Sequence, residues 1–112
     1  MENSIDIPEI ITLCGSTKFK DIFLEVSKKL TIGRKIVLMP GFFGHSDTEK
    51  PNDKLKKRLD ELHFKKIDLS SSIFVIDVGG YIEHSTKNEI AYAMNHGKNV
   101  FCYSREIEVI AK

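Results

Sequence analysis

The run Ile73-Phe74-Val75-Ile76 is apolar without alternation, which constrains the fold more than anything else in the chain. A strand of that kind must be covered on both faces, as in the middle of a parallel sheet. Three other short β-rich runs accompany it: Ile10–Cys14, Lys35–Met39 and Asn99–Tyr103. Between them lie segments of helical character. Phe19, Phe23, Val26 and Leu30 recur at helical spacing, and Gly33 follows as the residue that closes that helix. Asp53 to Leu69 offers Leu55, Leu59, Leu62, Phe64 and Ile67 for burial. Ser85 to His96 offers Ile90, Ala93 and Met94, with Gly97 ending it. The order β-α-β-α-β-α-β, joined by right-handed crossovers, predicts a small three-layer α/β domain. It is Rossmann-like or flavodoxin-like, with a parallel sheet of four or five strands.

With 112 residues there is room for one core, so residues 1–112 are read as a single domain. A formal net charge of +1 gives no global field for a nucleic acid polymer or an acidic membrane. No apolar run is long enough to cross a bilayer, and Met1 to Ile7 is too polar for a secretory leader. Cys14 and Cys102 sit inside apolar runs without Cys-x-x-Cys spacing, so both read as buried thiols in a reducing, cytoplasmic setting. His, Cys, Asp and Glu nowhere recur at metal-ligand spacing, and neither a metal nor a cofactor is implied.

In open parallel sheets the ligand crevice lies beyond the carboxyl ends of the strands. That rule singles out three turns: Gly15–Lys18, Met39–Lys50 and Asp77–Ser85. In the first, Gly15, Ser16, Thr17 and Lys18 combine a close backbone approach, two hydroxyls and a cation at a helix start. A phosphate or a sugar hydroxyl suits them; the equal alternative is that Ser16 or Thr17 caps the helix. In the third, Asp77 precedes Gly79, Gly80, Tyr81, Glu83, Ser85 and Thr86, with Glu89 about one turn inside the following helix. Glu89 either looks back to the crevice or completes a capping box with Ser85 or Thr86. Tyr81 either stacks on a base or covers the turn. His45 reads as a loop surface group and His63 as a packing or surface residue of its helix.

Three segments together carry a resemblance. Ile11-Thr12-Leu13-Cys14-Gly15-Ser16 has a strand and its Gly-Ser turn, Glu83 to Glu89 has an acidic residue followed by Ser-Thr-x-x-Glu, and Glu89-Ile90-Ala91-Tyr92-Ala93 precedes Gly97-Lys98. In order and spacing they resemble the nucleoside 2-deoxyribosyltransferase-like superfamily, which includes nucleoside deoxyribosyltransferases and deoxynucleoside-monophosphate N-glycosidases. The likeness runs from Ile10 to Tyr103.

The resemblance implies that Glu89 is the nucleophile on the anomeric carbon and that Glu83 holds the sugar. It implies that Ser16 and Ser85 hold a 5′-phosphate, and that Asp68 or Asp77 stands near the base. Asp77 or Glu83 would supply the proton for the leaving base. The expected activity is N-glycosidic bond cleavage or deoxyribosyl transfer on a nucleoside or its 5′-monophosphate, in a homodimer or higher homo-oligomer. The chain departs from the pattern at Thr12, where a Tyr is usual beside the nucleophile, at Ala91 for Gly, and at His84 for a small residue. Thr12 favours the alternative of a non-catalytic module that binds or senses a nucleotide. A third reading, a structural or partner-binding domain with an empty crevice, is opposed by the Gly-Ser-Thr and Gly-Gly turns.

Overall fold

The computed structural model describes residues 7–41 and 52–106. Four strands form one all-parallel sheet: β1 Ile10–Gly15, β2 Ile36–Leu38, β3 Ser72–Ile76 and β4 Asn99–Cys102. The helices are α1 Lys20–Ile32, α2 Asp53–Leu69 and α3 His84–Asn95, with single 3₁₀ turns at Thr17–Phe19 and Val78–Gly80. The sheet order is β2-β1-β3-β4, so the chain reverses its direction of travel between β1 and β3. This is a three-layer, Rossmann-like α/β domain of flavodoxin-like order, and its switch point lies between the carboxyl ends of β1 and β3. No helix of the described residues is long and apolar enough to cross a membrane.

Strand alternation sorts the core into two halves. Ile11 and Leu13 of β1, with Phe74 and Ile76 of β3, pack with Phe23 and Val26 of α1. Cys14, Ile73 and Val75 face the other way and pack with Ile67 of α2 and Ala93 of α3. All five residues of β3 are buried, as its unbroken apolar run requires. Register places Gly15 opposite Ile76. Gly15 has φ +147°, and a Cβ there would lie 2.9 Å from the Ile76 carbonyl oxygen. A side chain at this position would therefore push β1 off β3 just where the switch point opens.

The helix ends show where local chemistry decides. Asn52 caps α2 by accepting from the Leu55 N–H at 2.8 Å. Gly97, at φ +71°, closes α3 with Lys98 N–H to Ala93 and Gly97 N–H to Met94, a Schellman pattern. The expectation that Gly33 closes α1 shifts by one residue: Arg34 takes the left-handed conformation at φ 69°. Its N–H bonds Thr31 and that of Lys35 bonds Leu30, so Arg34 occupies the position that favours glycine.

Several further expectations are corrected. Helix α3 starts at His84 with Glu83 as its N-cap and no side-chain capping bond, so Ser85 lies inside the helix and does not cap it. Met94, Leu55 and Leu62 are exposed, because they lie off the faces that meet the sheet. Cys102 is half-buried, since β4 is an edge strand, whereas Cys14 is fully buried. Tyr103 leaves the last strand and starts a helical turn through Glu106. His45 and most of the Met39–Lys50 turn lie outside the described residues.

Candidate functional site

Position 14 of β1 points away from α1, toward the seam where α2 and α3 cover the sheet. Helix α2 presents Lys56, Asp60, His63 and Ile67 at spacings of three and four, which puts them along one face. Ile67 anchors that face in the core, so His63 one turn earlier is carried inward and is only 8% exposed. From α3 comes Glu89, whose side chain is 13% exposed. The three meet: Cys14 Sγ lies 3.4 Å from His63 Nε2, and His63 Nε2 lies 3.8 Å from Glu89 Oε1. The ligand atoms of Cys14 and Glu89 likewise lie within 4.8 Å of each other. Glu89 therefore turns to the sheet, and the capping-box alternative for it is set aside.

Burial governs the charges in this cluster. Glu89 is pushed up to about 7, first by burial; the Cys14 thiol and Lys56 pull it down, while Asp60 and Glu83 push it up. His63 is lowered to about 4, by burial first and then by Lys66, against the opposing pull of Asp60. Burial and then the Glu89 charge raise Cys14 well above an ordinary thiol. The His63–Glu89 separation of 3.8 Å has the spacing of an ion pair, yet burial keeps the imidazole neutral at pH 7. We read the contact as a neutral ring beside a partly ionised carboxylate. Further toward the start of α2 on the same face, Lys56 and Asp60 pair at 3.1 Å where that face reaches solvent.

The turns at the switch point touch each other. Lys18 Nζ stands 3.7 Å from the centroid of the Tyr81 ring, and Phe19 meets the same ring edge-on at 5.9 Å. Tyr81 remains 42% exposed and its hydroxyl donates to Glu83 Oε2 at 3.3 Å. The aromatic residue thus covers the turn while keeping part of its surface toward solvent. Ser16 is buried and accepts from the Lys18 N–H at 3.4 Å, which caps the 3₁₀ turn Thr17–Phe19; α1 itself has Phe19 as its N-cap and no side-chain capping bond, so the expected helix cap is not made. Thr17 and Ser85 are half-buried, and Thr86 is fully buried on α3. Gly79 and Gly80 are exposed at φ 63° and 81°, with open space where a Cβ would stand. Their turn requires glycine for its backbone, with no neighbour pressing on it.

Two aspartates fall elsewhere than their expected roles. Asp77, buried at the end of β3, accepts from the Ser104 N–H at 2.8 Å and the Ser104 hydroxyl at 2.7 Å. Both oxygens are engaged in tying β3 to the turn after β4, and the acidic groups that act on Glu89 are Asp60 and then Glu83. Asp68 lies near the carboxyl end of α2, which runs antiparallel to the strands and so ends beside their amino termini. There it accepts from the Tyr92 hydroxyl at 2.6 Å, while its carbonyl accepts from Lys98 at 3.2 Å. It is separated from the crevice by the length of the sheet.

Thr12, matched to the usual Tyr, is fully buried and bonds the Lys66 carbonyl and the Ser70 hydroxyl. The β1 residue beside Glu89 is Cys14. Cys14 and His63 are the site residues that reading the sequence did not assign. The signal for His63 was its place four residues before Ile67; the signal for Cys14 was its position just before the Gly15 turn. Linear spacing showed no ligand cluster, yet folding brings one potential ligand atom of each of Cys14, His63 and Glu89 within 4.8 Å of the others.

Compared with known proteins, the chain matches no protein-family model and no curated sequence.

Proposed function

We propose that this protein cleaves the N-glycosidic bond of a nucleoside or nucleoside 5′-monophosphate, or transfers its deoxyribosyl group, with Glu89 as nucleophile. The reading rests on the resemblance to the nucleoside 2-deoxyribosyltransferase-like superfamily. The observation that supports it is the place of Glu89, turned inward against the penultimate residue of β1, beside the switch point, with Glu83 near enough to act on its charge. A carboxylate there can stabilise the positive charge that develops on the sugar as the bond breaks. In the covalent course, a Glu89 oxygen bonds the anomeric carbon while the bonding pair of the C–N bond leaves with the base. The base is protonated by Glu83 or water, and water or a second base then displaces the glutamyl ester. Gly15, Ser16, Thr17 and Lys18 face the same crevice from the first turn, where a 5′-phosphate would lie.

A homo-oligomer belongs to the same reading. Leu55, Leu62 and Leu69 recur every seven residues on α2 and are all exposed, an apolar stripe that a second copy would cover. Both cysteines are free, as suits a reducing cytoplasm. The test is release of free base from ribo- and deoxynucleosides and their 5′-monophosphates, beside a Glu89→Ala control. Release that disappears in the control supports the proposal. Binding of a nucleotide without release from any substrate replaces it with the sensing module, which Thr12 in place of Tyr favours.

A further inference from the structure

We infer that Cys14, His63 and Glu89 form a site for one zinc-class divalent cation. Their ligand atoms come from β1, α2 and α3 and all lie within 4.8 Å of one another. Two of the separations are 3.4 Å and 3.8 Å. Bonds of about 2.3 Å to sulfur and about 2.0–2.1 Å to nitrogen and oxygen put tetrahedral ligand atoms roughly 3.3–3.6 Å apart. Those two separations lie within about half an ångström of that arrangement, and the third pair lies within 4.8 Å. Strand register fixes Cys14, and the buried neighbours Ile67 and Ala93 fix the helices that carry the other two ligands.

The donor set determines the class of ion. A thiolate, an imidazole and one carboxylate suit zinc, cobalt and cadmium, whereas magnesium and calcium take oxygen ligands. Charge balance points the same way. A thiolate and a carboxylate side by side in a buried seam are each disfavoured alone, and a dication neutralises both as their protons leave. Three protein ligands leave a fourth position for water or a ligand. The site uses Glu89, so an ion held there withdraws the proposed nucleophile, and zinc would inhibit base release. Metal binding itself stands without that reaction.

The test is a cobalt(II) titration of the reduced, chelator-treated full chain, followed by absorption. The expected result is saturation at one ion per chain, with a thiolate-to-cobalt charge-transfer band and the visible bands of a tetrahedral ion, both displaced by zinc and unaffected by magnesium. Cys102→Ser keeps the charge-transfer band and Cys14→Ser abolishes it. His63→Gln and Glu89→Gln each weaken binding by about tenfold or more. Absence of a thiolate band in the wild-type protein at saturating cobalt overturns the inference, whatever the variants do. So does a band that follows Cys102. Cobalt binding in a chain that releases no base even when chelator-treated would defeat the glycosidase proposal alone, and base release without cobalt binding would defeat this inference alone.

Discussion

The two faces of the sheet are made by the same strands and are chemically unlike. Toward α1, Ile11, Leu13, Phe23, Val26, Phe74 and Ile76 form an apolar core, with the small hydroxyl of Ser72 at the start of β3 on the same face. Toward α2 and α3, the alternate residues of β1 are Thr12 and Cys14, and the helices add His63 and Glu89. On that side Thr12 bonds Ser70 and the Lys66 carbonyl, and Cys14 Sγ lies 3.4 Å from His63 Nε2. An apolar face has no titratable group and contributes stability that depends little on pH. A face carrying titratable groups makes stability depend on protons and ions. One layer therefore supports the domain while the other gathers titratable side chains beside the switch point at the carboxyl end of the sheet.

The largest effect should come from the dry face. Phe23→Ala removes a fully buried ring and should cost about 3–5 kcal/mol in urea unfolding. That cost should be the same in mildly acidic and mildly alkaline buffer. A loss that changes steeply with pH would mean the two faces do not act separately.

Next comes Glu89→Gln in chelator-treated protein. The folded carboxyl titrates at about 7 against an ordinary 4.5, so folding favours its protonated form. Its contribution is complete below the ordinary value and is lost as pH rises through about 7. The amide does not titrate. Relative to wild type, the variant should therefore gain roughly 3 kcal/mol on going from about pH 4 to about pH 8. His63 works in the opposite sense. Lowered from 6.5 to about 4, it contributes stability above its ordinary value that is lost as pH falls through about 4. In wild type the two slopes oppose each other between those values. Removing Glu89 should expose the acid sensitivity of His63 as a slope in the unfolding free energy, and an unchanged pH profile would refute the buried cluster.

The smallest effect belongs to the rim. Arg34→Gly relieves a left-handed non-glycine residue and should raise stability by about 1 kcal/mol. Thermal unfolding reads this gain, and a loss would show that the Arg34 side chain contributes more than its backbone costs.

Much of the frame was legible because it depends on short-range pattern. The unbroken run Ile73–Ile76 announced a strand covered on both faces, and the apolar spacing and polar face of α2 gave its bounds at Asp53 and Leu69. The Arg34 position was not legible, because the left-handed turn falls one residue past the glycine that seemed made for it. The site was legible only in part. Glu89 and the two turns follow from the strand-end rule. The pairing of Cys14 with His63 joins residues 49 apart in sequence, and Asp77 meets Ser104 across 27. Asp68 was displaced from its expected place by helix direction, which a motif match does not carry. Long-range packing decides such contacts, and no local spacing encodes them.

The most direct measurement is the rate of base release against pH, for chelator-treated wild type and Glu89→Gln side by side on the best substrate of the panel. A carboxylate nucleophile acts when ionised, so the wild-type rate should climb with pH through about 7 and level above it, with no release from the variant at any pH. Release that persists in Glu89→Gln, or a wild-type rate already level below pH 6, would contradict Glu89 as the buried, reacting carboxylate.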